Sequence, residues 1–458
     1  MSLALRYNGE VINGDAMQLY SGLPIITNKI TVEERKGVPH HLLGCIDFGE
    51  PTWVVGTFVK RALRVIEEIR SRGKLPILVG GTHYYTQSLL FRDRLAETEE
   101  DGNGGEEKKN EEQGPSDNLE ETYPILKEPT EKLLEKLQEI DPVMAARWHP
   151  NDRRKIQRSI EIYLQTGRKA SDIYAEQRLA SASGAESASE ESDLRFPTLL
   201  FWIHAETETL RTRLDNRVDK MLSQGLLDEV RQLHKYATEQ SGSGQPVDES
   251  RGIWVSIGFK EFKAYITALQ SGTASEADLQ VLKDEAIERT KIATRQYAKR
   301  QTRWIRLKLL HALQSQASTS QKESLDTGGS LYLLDGTSIP EFQKNVMSPA
   351  TDITQAFLSD TPMPDPLGLS AAAAEQLSVK QDQDATKTPQ SWIRRQCDLC
   401  GVTCVTEKQW EAHARSRAHR RLVSKKRKLE EEEEGGAIKV EKKAEPESDA
   451  VQEKKTEG

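Results

Sequence analysis

Strand and helix patterns alternate along the first 94 residues, and few architectures accommodate such an alternation. The apolar strand pattern "EVIN" is followed by the amphipathic stretch "VGTFVKRALRVIEEIRSRG", which ends at Gly73, and then by the strand pattern "KLPILVGGT". The alternation resumes in "FPTLLFWIHA" and in the helical stretch that ends at Gly225. Chains of this kind fold as parallel sheets with helices packed on their faces. The sequence therefore predicts an α/β fold with a doubly wound parallel sheet.

The charge of the chain has to be judged locally. The 458 residues carry a formal net charge of -8, but residues 96–122 alone hold eleven Asp and Glu against two Lys. The rest of the chain is therefore close to neutral, and the acidic total does not exclude a nucleic-acid partner. The acidic stretch itself contains almost no apolar side chains, which predicts a disordered insert.

Targeting signals are not evident in the sequence. No apolar run reaches the roughly 18 to 20 residues that span a bilayer, and the first ten residues lack the apolar core of a secretory signal. We therefore expect a soluble protein without membrane contact, cytoplasmic and/or nuclear, or mitochondrial if a transit peptide precedes this sequence. Three of the four cysteines lie between Cys397 and Cys404, which argues against a disulfide framework and for a local metal site.

The spacing of two cysteines and two histidines near the C-terminus predicts a zinc finger. Two residues separate Cys397 from Cys400, twelve more precede His413, and a further five precede His419. Two thiolates and two imidazoles form the tetrahedral set that structural Zn²⁺ prefers. A unit this small has no adequate core without its metal, so an unmetallated segment is the weaker alternative. Cys404 lies where a ββα finger needs a buried apolar residue, and it is predicted to be core rather than ligand.

Basic residues around this finger indicate an RNA partner. The five-residue gap between the histidines and the arginines at 415, 417, 420 and 421 resemble the matrin or U1-type fingers that are associated with RNA. The run "KKRK" at 425–428 is either a nuclear localisation signal or a solubilising patch balanced by the five glutamates that follow it. The sequence leaves these two alternatives open.

A second basic feature is the long helical pattern near residues 284–310. Lys291, Arg295, Lys299, Arg303 and Arg306 recur at three or four residues, so they share one face of the helix. Seven basic residues and no acidic ones lie between positions 291 and 308. A solvated face usually mixes the two signs, whereas a phosphate-binding face does not. The pattern therefore favours contact with an RNA backbone over simple solvation.

Polar residues follow two of the predicted strands, at what would be one edge of the sheet. Asp15 follows "EVIN", and Thr82 follows Gly80 and Gly81 at the start of a predicted helix. The carboxyl ends of parallel strands line the ligand crevice of open α/β sheets. Asp15 could accept a proton there, or it could serve only as a helix N-cap. A Gly-Gly turn is also common as a plain tight connection, so these residues alone do not decide between site and scaffold.

Seven stretches occur in the order expected of one enzyme family. They are "INGDAMQLYSGLPIITNKIT", "GVPHHLLG", "LPILVGGTHYY", "DPVMAARWHPNDRRKIQRSIEIYLQTGRK", "RLDNRVDKML", "SIGFKEF" and "TRQYAKRQTRWIR". Together they resemble the tRNA dimethylallyltransferase family, also called tRNA isopentenyltransferases, and the terminal finger resembles the extension of its eukaryotic members. The resemblance implies a P-loop NTPase-like, nucleotide-kinase-like parallel sheet with a helical insertion domain and a small C-terminal ββα zinc finger.

The resemblance also implies a reaction. Members transfer the dimethylallyl group from dimethylallyl diphosphate to N6 of the adenosine 3′ of the anticodon, position 37, which is flipped out of the tRNA anticodon stem-loop. Asp15 corresponds to the general base, Thr82 to a hydroxyl that contacts the tRNA, and Arg217 to an arginine that steadies the diphosphate. These three form the implied catalytic set, and Asp15 and Thr82 also count among the tRNA-binding positions. The other residues that correspond to tRNA-binding positions are Ala16, Met17, Gln18, Arg154, Lys155, Arg158, Ile257, Gly258, Lys260, Arg295, Lys299, Arg300 and Gln301.

One family motif does not occur in this sequence. Family members carry a first strand and a GxxxxGK[ST] P-loop, whose amides and lysine bind the diphosphate and whose hydroxyl helps to hold the catalytic Mg²⁺. We therefore expect a sheet that lacks its first strand, with Mg²⁺ and structural Zn²⁺ as the implied cofactors. The alternative is a catalytically impaired tRNA-binding protein. An enzyme acting on free adenine nucleotides is disfavoured by the insertion helices, the basic helix and the finger.

The predicted organisation combines these features in a monomeric chain. In chain order it comprises the first part of the catalytic core (1–95), the acidic disordered insert (96–122), the helical insertion domain and its linker (123–193), the core continuation with the basic helix (194–345), a flexible linker (346–390), the zinc finger (391–424) and a charged disordered tail (425–458).

Overall fold

The structure is a computed structural model that divides into two compact units. The described residues are 1–91, 122–182, 194–244, 247–249, 251–313, 330–378 and 392–427. The first unit is bounded by residues 1–114 and 184–381, and the second by 115–183 and 382–458. The predicted acidic insert, except for residue 122, and nearly all of the charged tail lie outside the described residues.

Helices make up most of the described residues. In chain order they are α1 (Ser2–Arg6), α2 (Val55–Ser71), α3 (His83–Leu90), α4 (Thr130–Ile140), α5 (Pro142–Arg147), α6 (Arg153–Thr166), α7 (Ala170–Ala182), α8 (Thr207–Ser223), α9 (Leu226–Gly242), α10 (Phe259–Ser271), α11 (Glu276–Trp304), α12 (Ser348–Leu358), α13 (Ala371–Leu377) and α14 (Glu407–Ala414). Within these described segments, no helix is both long and apolar enough to cross a membrane.

A three-stranded parallel sheet organises the first unit. Strand β1 (Gly9–Asn13) lies between β2 (His40–His41) and β3 (Leu75–Val79), with Asn13 opposite Val79. All five residues of β1 are buried because the strand has a partner on each side. Helix α2 buries residues three or four apart along one stripe, among them Phe58, and packs that stripe into the core that contains β1. The predicted strand-helix-strand order is therefore confirmed.

A second parallel pair completes the strands of this unit. Strand β4 (Leu200–His204) pairs with β5 (Leu331–Asp335) along its whole length. In the described part of the chain, β3 and β4 belong to separate sheets. The predicted parallel α/β architecture is confirmed, although it takes the form of two sheets of three and two strands.

The segment predicted as a flexible linker, 346–390, differs from that prediction. Helices α12 and α13 lie within it, and Ala373 and Leu377 of α13 share an apolar cluster with Leu333 of β5. The prediction is wrong for residues 346–378, and residues 379–390 lie outside the described part. The segment is rich in Pro, Ser, Asp and Ala. Such a composition hides short helices in which a few apolar side chains pack against β5.

The second unit contains the predicted helical region and the finger. Helices α4 to α7 enclose a core that includes Leu133, Leu137, Ile156 and Ile160, all fully buried. In the same unit, β6 (Trp392–Gln396) pairs antiparallel with β7 (Thr403–Thr406), α14 follows, and β6 lies against α5. The predicted ββα finger is confirmed.

A buried carboxylate joins three segments of the first sheet. Glu10 of β1 is 2% exposed, and His41, Arg72 and Lys74 each place a nitrogen 2.7 Å from one of its oxygens. The hydrogen bond from Lys74, supported by those from His41 and Arg72, outweighs burial and lowers the pKa of Glu10 to about 2. The ionised carboxylate therefore holds β1 to β2 and to the turn between α2 and β3.

We expect Glu10→Gln to lower the free energy of unfolding at pH 7 by about 2 kcal/mol. A pKa lowered from 4.5 to about 2 corresponds to about 3 kcal/mol, which solvent screening at the partly exposed Arg72 and Lys74 reduces. Because the folded pKa is depressed, this stabilisation is complete above pH 4.5 and is lost as the pH falls towards 2. Urea unfolding of both proteins at pH 7 and pH 3 measures it, with the exposed Glu67→Gln as control. An equal difference at both pH values would contradict the prediction.

Candidate active site

Asp15 is held at the carboxyl end of β1 by its neighbours in the chain. The side-chain amide of Asn13 donates to the Leu42 carbonyl at 2.8 Å and to the Asp15 carbonyl at 3.0 Å, and its oxygen accepts from the Asp15 N–H at 3.0 Å. One carboxylate oxygen of Asp15 accepts from the Met17 N–H at 2.9 Å. That bond lies at the start of a 3₁₀ turn (Met17–Leu19). The Gln18 amide also stabilises this carboxylate, and Asp15 is only partly buried, so a ligand can approach it.

The Gly80-Gly81 turn is a steric requirement of this site. The Gly14 N–H donates to the Val79 carbonyl at 2.8 Å, which draws the ends of β1 and β3 together. A Cβ on Gly80 would lie 2.3 to 2.6 Å from backbone atoms of Gly14, and one on Gly81 would lie 2.4 Å from the Gln301 amide nitrogen. The first contact is with backbone, which cannot move aside cheaply. Gly80 is therefore required for the close approach of the two strand ends.

Thr82 and Gln301 fasten two neighbouring elements to this turn. Thr82 occupies the N-cap position of α3, yet its side chain makes no capping hydrogen bond. Its hydroxyl oxygen instead accepts from the Ala16 N–H at 3.0 Å. The Gln301 side-chain amide of α11 donates to the Gly81 carbonyl at 2.7 Å. Asp15, Thr82 and Gln301, all predicted as site residues, are thus brought together.

Asp15 and Arg217 face each other without forming an ion pair. Burial raises the pKa of Asp15, and the Met17 and Gln18 amides and the charge of Arg217 partly offset that effect. Burial also lowers the pKa of Arg217, which the charge of Asp15 partly offsets. Arg217 forms no ion pair closer than 4.0 Å among the described residues, so the two charges interact over a longer distance. The predicted pairing of these two residues in one site is consistent with this geometry.

The basic face of α11 has two halves with different surroundings. Lys291 pairs with Asp219 at 2.7 Å, and Arg295 pairs with Asp215 at 2.6 Å, so both hold α11 against α8. The cations nearer the C-terminal end of α11 are different: Lys299, Arg300 and Arg303 are exposed. The Arg300 guanidinium lies 5.9 Å from the centre of the Tyr297 ring. Two of the five residues of the predicted phosphate-binding face therefore form ion pairs within the protein.

The remaining predicted positions of the first unit surround tightly constrained turns. Gly258 is buried with φ +112, and its N–H donates to Glu261 at 2.8 Å at the start of α10. Lys260 is exposed and Ile257 is partly buried. Gln18 donates to the Asn28 carbonyl at 3.2 Å. These residues stay predictions as tRNA contacts.

Three predicted residues lie on α6 in the second unit, and they differ in the ion pairs that they form. Arg154 is exposed. Lys155 pairs with Asp152 at 2.6 Å, and Arg158 pairs with Glu161 at 3.2 Å. The Lys155 ammonium also lies 5.2 Å from the centre of a tryptophan ring, Trp148. Of the three, Arg154 is the most readily available to an anionic partner.

The four predicted zinc ligands converge in the second unit. Their ligand atoms all lie within 4.8 Å of one another. Cys400 Sγ lies 3.1 Å from His413 Nε2, and Cys397 Sγ lies 3.5 Å from His419 Nδ1. Zinc bonds of about 2.3 Å to sulfur and 2.0 Å to nitrogen place S and N ligands about 3.5 Å apart in a tetrahedral site. The four side chains therefore fit Zn²⁺, and Cys404 is buried as a core residue.

Comparison with known proteins agrees with this architecture. The profile of the IPP transferase family matches residues 18–308, and that of a C2H2-type zinc-finger family matches residues 395–419. The tRNA dimethylallyltransferase of Saccharomyces cerevisiae is 35% identical over 426 residues, 92% of this chain and 87% of that protein. The tRNA dimethylallyltransferase of Schizosaccharomyces pombe is 36% identical over 438 residues, 94% of this chain and 93% of that protein.

A solved structure extends the comparison to three dimensions. A crystal structure of a eukaryotic dimethylallyltransferase acting on tRNA matches with a TM-score of 0.67 at 32% identity, covering 95% of this chain and 94% of that chain. The fold and the site define a zinc-finger protein of the α/β class with a partly buried carboxylate at its strand ends. The chain belongs to the IPP transferase family, and it is similar to the eukaryotic members throughout most of its length.

Proposed function

We propose that this protein is a tRNA dimethylallyltransferase. It transfers the dimethylallyl group from dimethylallyl diphosphate to N6 of adenosine 37, 3′ of the anticodon in tRNA. The observation that carries the proposal is the placement of Asp15, which is fixed at the carboxyl end of β1, is only partly buried and interacts with the charge of Arg217. The activity named for the two fungal relatives supports it.

The proposed chemistry assigns each residue one step. N6 of the adenosine attacks C1 of the dimethylallyl group, and the C1–O bond breaks so that its electron pair leaves with the diphosphate. Asp15 accepts the proton that N6 loses, and because burial raises its pKa it is a stronger base than a free aspartate. Arg217 stabilises the negative charge that develops on the diphosphate. Thr82 keeps the Asp15 segment in place through the Ala16 N–H.

The proposed tRNA contacts extend over both units. Exposed cations on the C-terminal half of α11 and on α6 would bind phosphates, and the Asp15 segment would meet the flipped base. The full proposed set is Asp15, Ala16, Met17, Gln18, Thr82, Arg154, Lys155, Arg158, Ile257, Gly258, Lys260, Arg295, Lys299, Arg300 and Gln301. For Arg295 the proposal requires exchange of its Asp215 partner for a phosphate.

Candidate metal ligands cluster in the finger and not around Asp15 in the part of the chain that the structure describes. Over the described residues, the finger set is the only group of three or more His, Cys, Asp or Glu side chains close enough to hold a metal. Mg²⁺ is usually bound through one or two carboxylates together with substrate phosphates. We propose Mg²⁺ as a cofactor that the substrate diphosphate would largely hold, whereas the finger supplies all four ligands of its Zn²⁺.

Two exposed apolar residues bear on how the two parallel sheets of the first unit are related. We propose that β2-β1-β3 and β4-β5 are parts of one nucleotide-kinase-like sheet, because Val79 of β3 is 56% exposed and Ile203 of β4 is 55% exposed.

The sequence contains no GxxxxGK[ST] motif to bind a diphosphate. A tRNA-binding protein without transferase activity is therefore the second candidate. We further propose a monomer of cytoplasmic or nuclear location.

A substrate comparison tests the proposal. Isotope-labelled dimethylallyl diphosphate is incubated with the protein and either an anticodon stem-loop containing one adenosine at position 37 or adenosine monophosphate. We expect label in the stem-loop and none in the mononucleotide. Label in the mononucleotide alone would replace tRNA by free nucleotides as the substrate, and binding of the stem-loop without any transfer would favour the second candidate.

A further inference from the structure

Helix α3 directs one tyrosine into the core and the preceding one out to solvent. Tyr85 stacks on Phe58 with ring centres 4.6 Å apart and donates its hydroxyl to the Trp53 carbonyl at 2.8 Å. These contacts fix the rotation of the helix about its axis. Successive residues of a helix point about 100° apart, so Tyr84 points away from this core, and it is 44% exposed. All eight residues of α3 are described, and Tyr84 is the only exposed one among them.

Trp304 of α11 supports the Tyr84 ring from one side. The indole N–H of Trp304 donates to the side-chain oxygen of Gln87 at 2.9 Å, and Gln87 is buried. Gln87 follows Tyr84 by three residues, so both lie on the side of α3 that Trp304 contacts. The Trp304 and Tyr84 rings meet edge to face, with centres 6.5 Å apart and planes at 76°. The Tyr84 ring is therefore oriented by the protein and still accessible.

Tyr84 lies beside the segment that carries Asp15. It follows Thr82 by two residues, which span at most about 7 Å of chain. The Thr82 oxygen accepts from the Ala16 N–H at 3.0 Å, and Ala16 adjoins Asp15. A nucleotide bound at Asp15 would thus place its neighbours in the RNA strand close to the Tyr84 ring.

The surface next to this ring carries exposed cations. Arg300 precedes Trp304 by four residues, so the two share one face of α11, and Arg303 adjoins Trp304. Both arginines are exposed, and no acidic residue lies between positions 291 and 308 of the sequence. An accessible aromatic ring beside cations is the combination that binds single-stranded nucleic acid, because the cations bind phosphates and the ring stacks on a base. The charge therefore favours RNA as the ligand of this ring.

We propose that Tyr84 is a stacking platform for an unpaired anticodon-loop base that flanks adenosine 37, with Trp304 as its support. When adenosine 37 is flipped out, each of its neighbours loses a stacking partner and exposes a π-face. The Tyr84 ring covers one of these faces, and its hydroxyl is not needed for that contact. The inference rests on the proposed function and specifies how the same site binds its RNA.

The experiment compares Tyr84→Leu, which removes the ring, with Tyr84→Phe, which keeps it. Binding of the stem-loop to the full-length proteins is measured by fluorescence anisotropy at several salt concentrations. We expect Tyr84→Leu to raise Kd about tenfold, the order that one base-aromatic stack contributes, and Tyr84→Phe to keep the Kd of the parent. The slope of log Kd against log salt concentration should be equal in all three proteins, because the ring contacts no phosphate.

Two altered stem-loops identify the stacked base. Each has an abasic site at one of the positions that flank adenosine 37, which are 36 and 38. At the position that Tyr84 covers, the abasic stem-loop should bind the parent and Tyr84→Leu within about twofold of each other, because both changes remove the same stack. The other abasic stem-loop should retain the tenfold difference. In transfer assays, KM for the unaltered stem-loop should rise about tenfold in Tyr84→Leu with kcat unchanged, since the stack is present before and during the reaction.

The outcomes separate this inference from the proposed function. A Kd of Tyr84→Leu within about twofold of the parent would overturn it, provided that thermal melting shows both proteins folded. Equal weakening in Tyr84→Phe would overturn it as well, because the contact would then belong to the hydroxyl. A tenfold difference that persists in both abasic stem-loops would exclude a flanking base as the ligand. If a bound stem-loop remains unlabelled, the transferase function fails, whereas the binding measurements still decide the role of Tyr84.

Discussion

Asp15→Asn is expected to reduce the rate of dimethylallyl transfer by about 10²- to 10⁴-fold, the range that general-base catalysis contributes. Asparagine retains the oxygen that accepts from the Met17 N–H at 2.9 Å, so the segment should keep its conformation. It cannot take up the proton that N6 loses. Affinity for the stem-loop should change by less than about threefold, since phosphate contacts elsewhere dominate RNA affinity. Single-turnover transfer and stem-loop binding measure the two effects separately.

An isosteric change away from the site controls for the loss of charge. Asp352→Asn lies on an exposed position of α12 and should leave both rate and affinity unchanged. If Asp15→Asn transferred the group within about threefold of the parent rate, the base would have to be another residue or solvent. If it lost stem-loop binding to the same extent as activity, Asp15 would be an RNA contact first.

Cys400→Ser is expected to abolish zinc binding and to unfold the finger. Cys400 Sγ lies 3.1 Å from His413 Nε2 and 3.6 Å from His419 Nδ1, so its loss removes a ligand with two close neighbours in the set. Metal binding supplies about 10 to 16 kcal/mol to zinc-finger peptides, which have too small a core to fold without it. The content should fall from one zinc per chain to none. Proteolysis should then cleave within residues 392–427, while the helical region retains its own buried core.

The neighbouring cysteine provides the matched control. Cys404 is 4% exposed and lies outside the ligand set, so Cys404→Ala should keep one zinc per chain with a modest loss of finger stability. Zinc retention by Cys400→Ser, or zinc loss in Cys404→Ala, would show that the ligand set is wrong. Because the finger carries exposed arginines, Cys400→Ser should also weaken stem-loop binding in a salt-dependent manner.

Local patterns predicted the elements around the candidate site because each element carries its own periodicity. The stripe of buried residues on α2 is visible in the sequence, and so are the short apolar runs of β1 and β3. The rule that parallel strand ends share an edge then placed Asp15 and Thr82 together, and the Thr82 bond to the Ala16 N–H bears this out. Arg217 could be added only through the family resemblance, since nothing in α8 alone marks it.

Long-range partners could not be predicted in the same way. The charge pattern of α11 indicated a free basic face, yet Lys291 and Arg295 pair with Asp219 and Asp215, more than 70 residues earlier in the chain. Lys291 and Arg295 are four residues apart, and so are Asp215 and Asp219, so the two spacings match. Many other acidic pairs in the sequence have this spacing, so the match alone could not identify the partners.

The most direct test of the proposed function is the identity of the product. The protein is incubated with labelled dimethylallyl diphosphate, Mg²⁺ and an anticodon stem-loop whose sole adenosine is at position 37, and the RNA is digested to nucleosides. The account predicts one labelled nucleoside, N6-dimethylallyladenosine, whose formation requires Asp15. A stem-loop that is bound by the protein but remains unlabelled, or label that appears at the same rate in the Asp15→Asn variant, would contradict it.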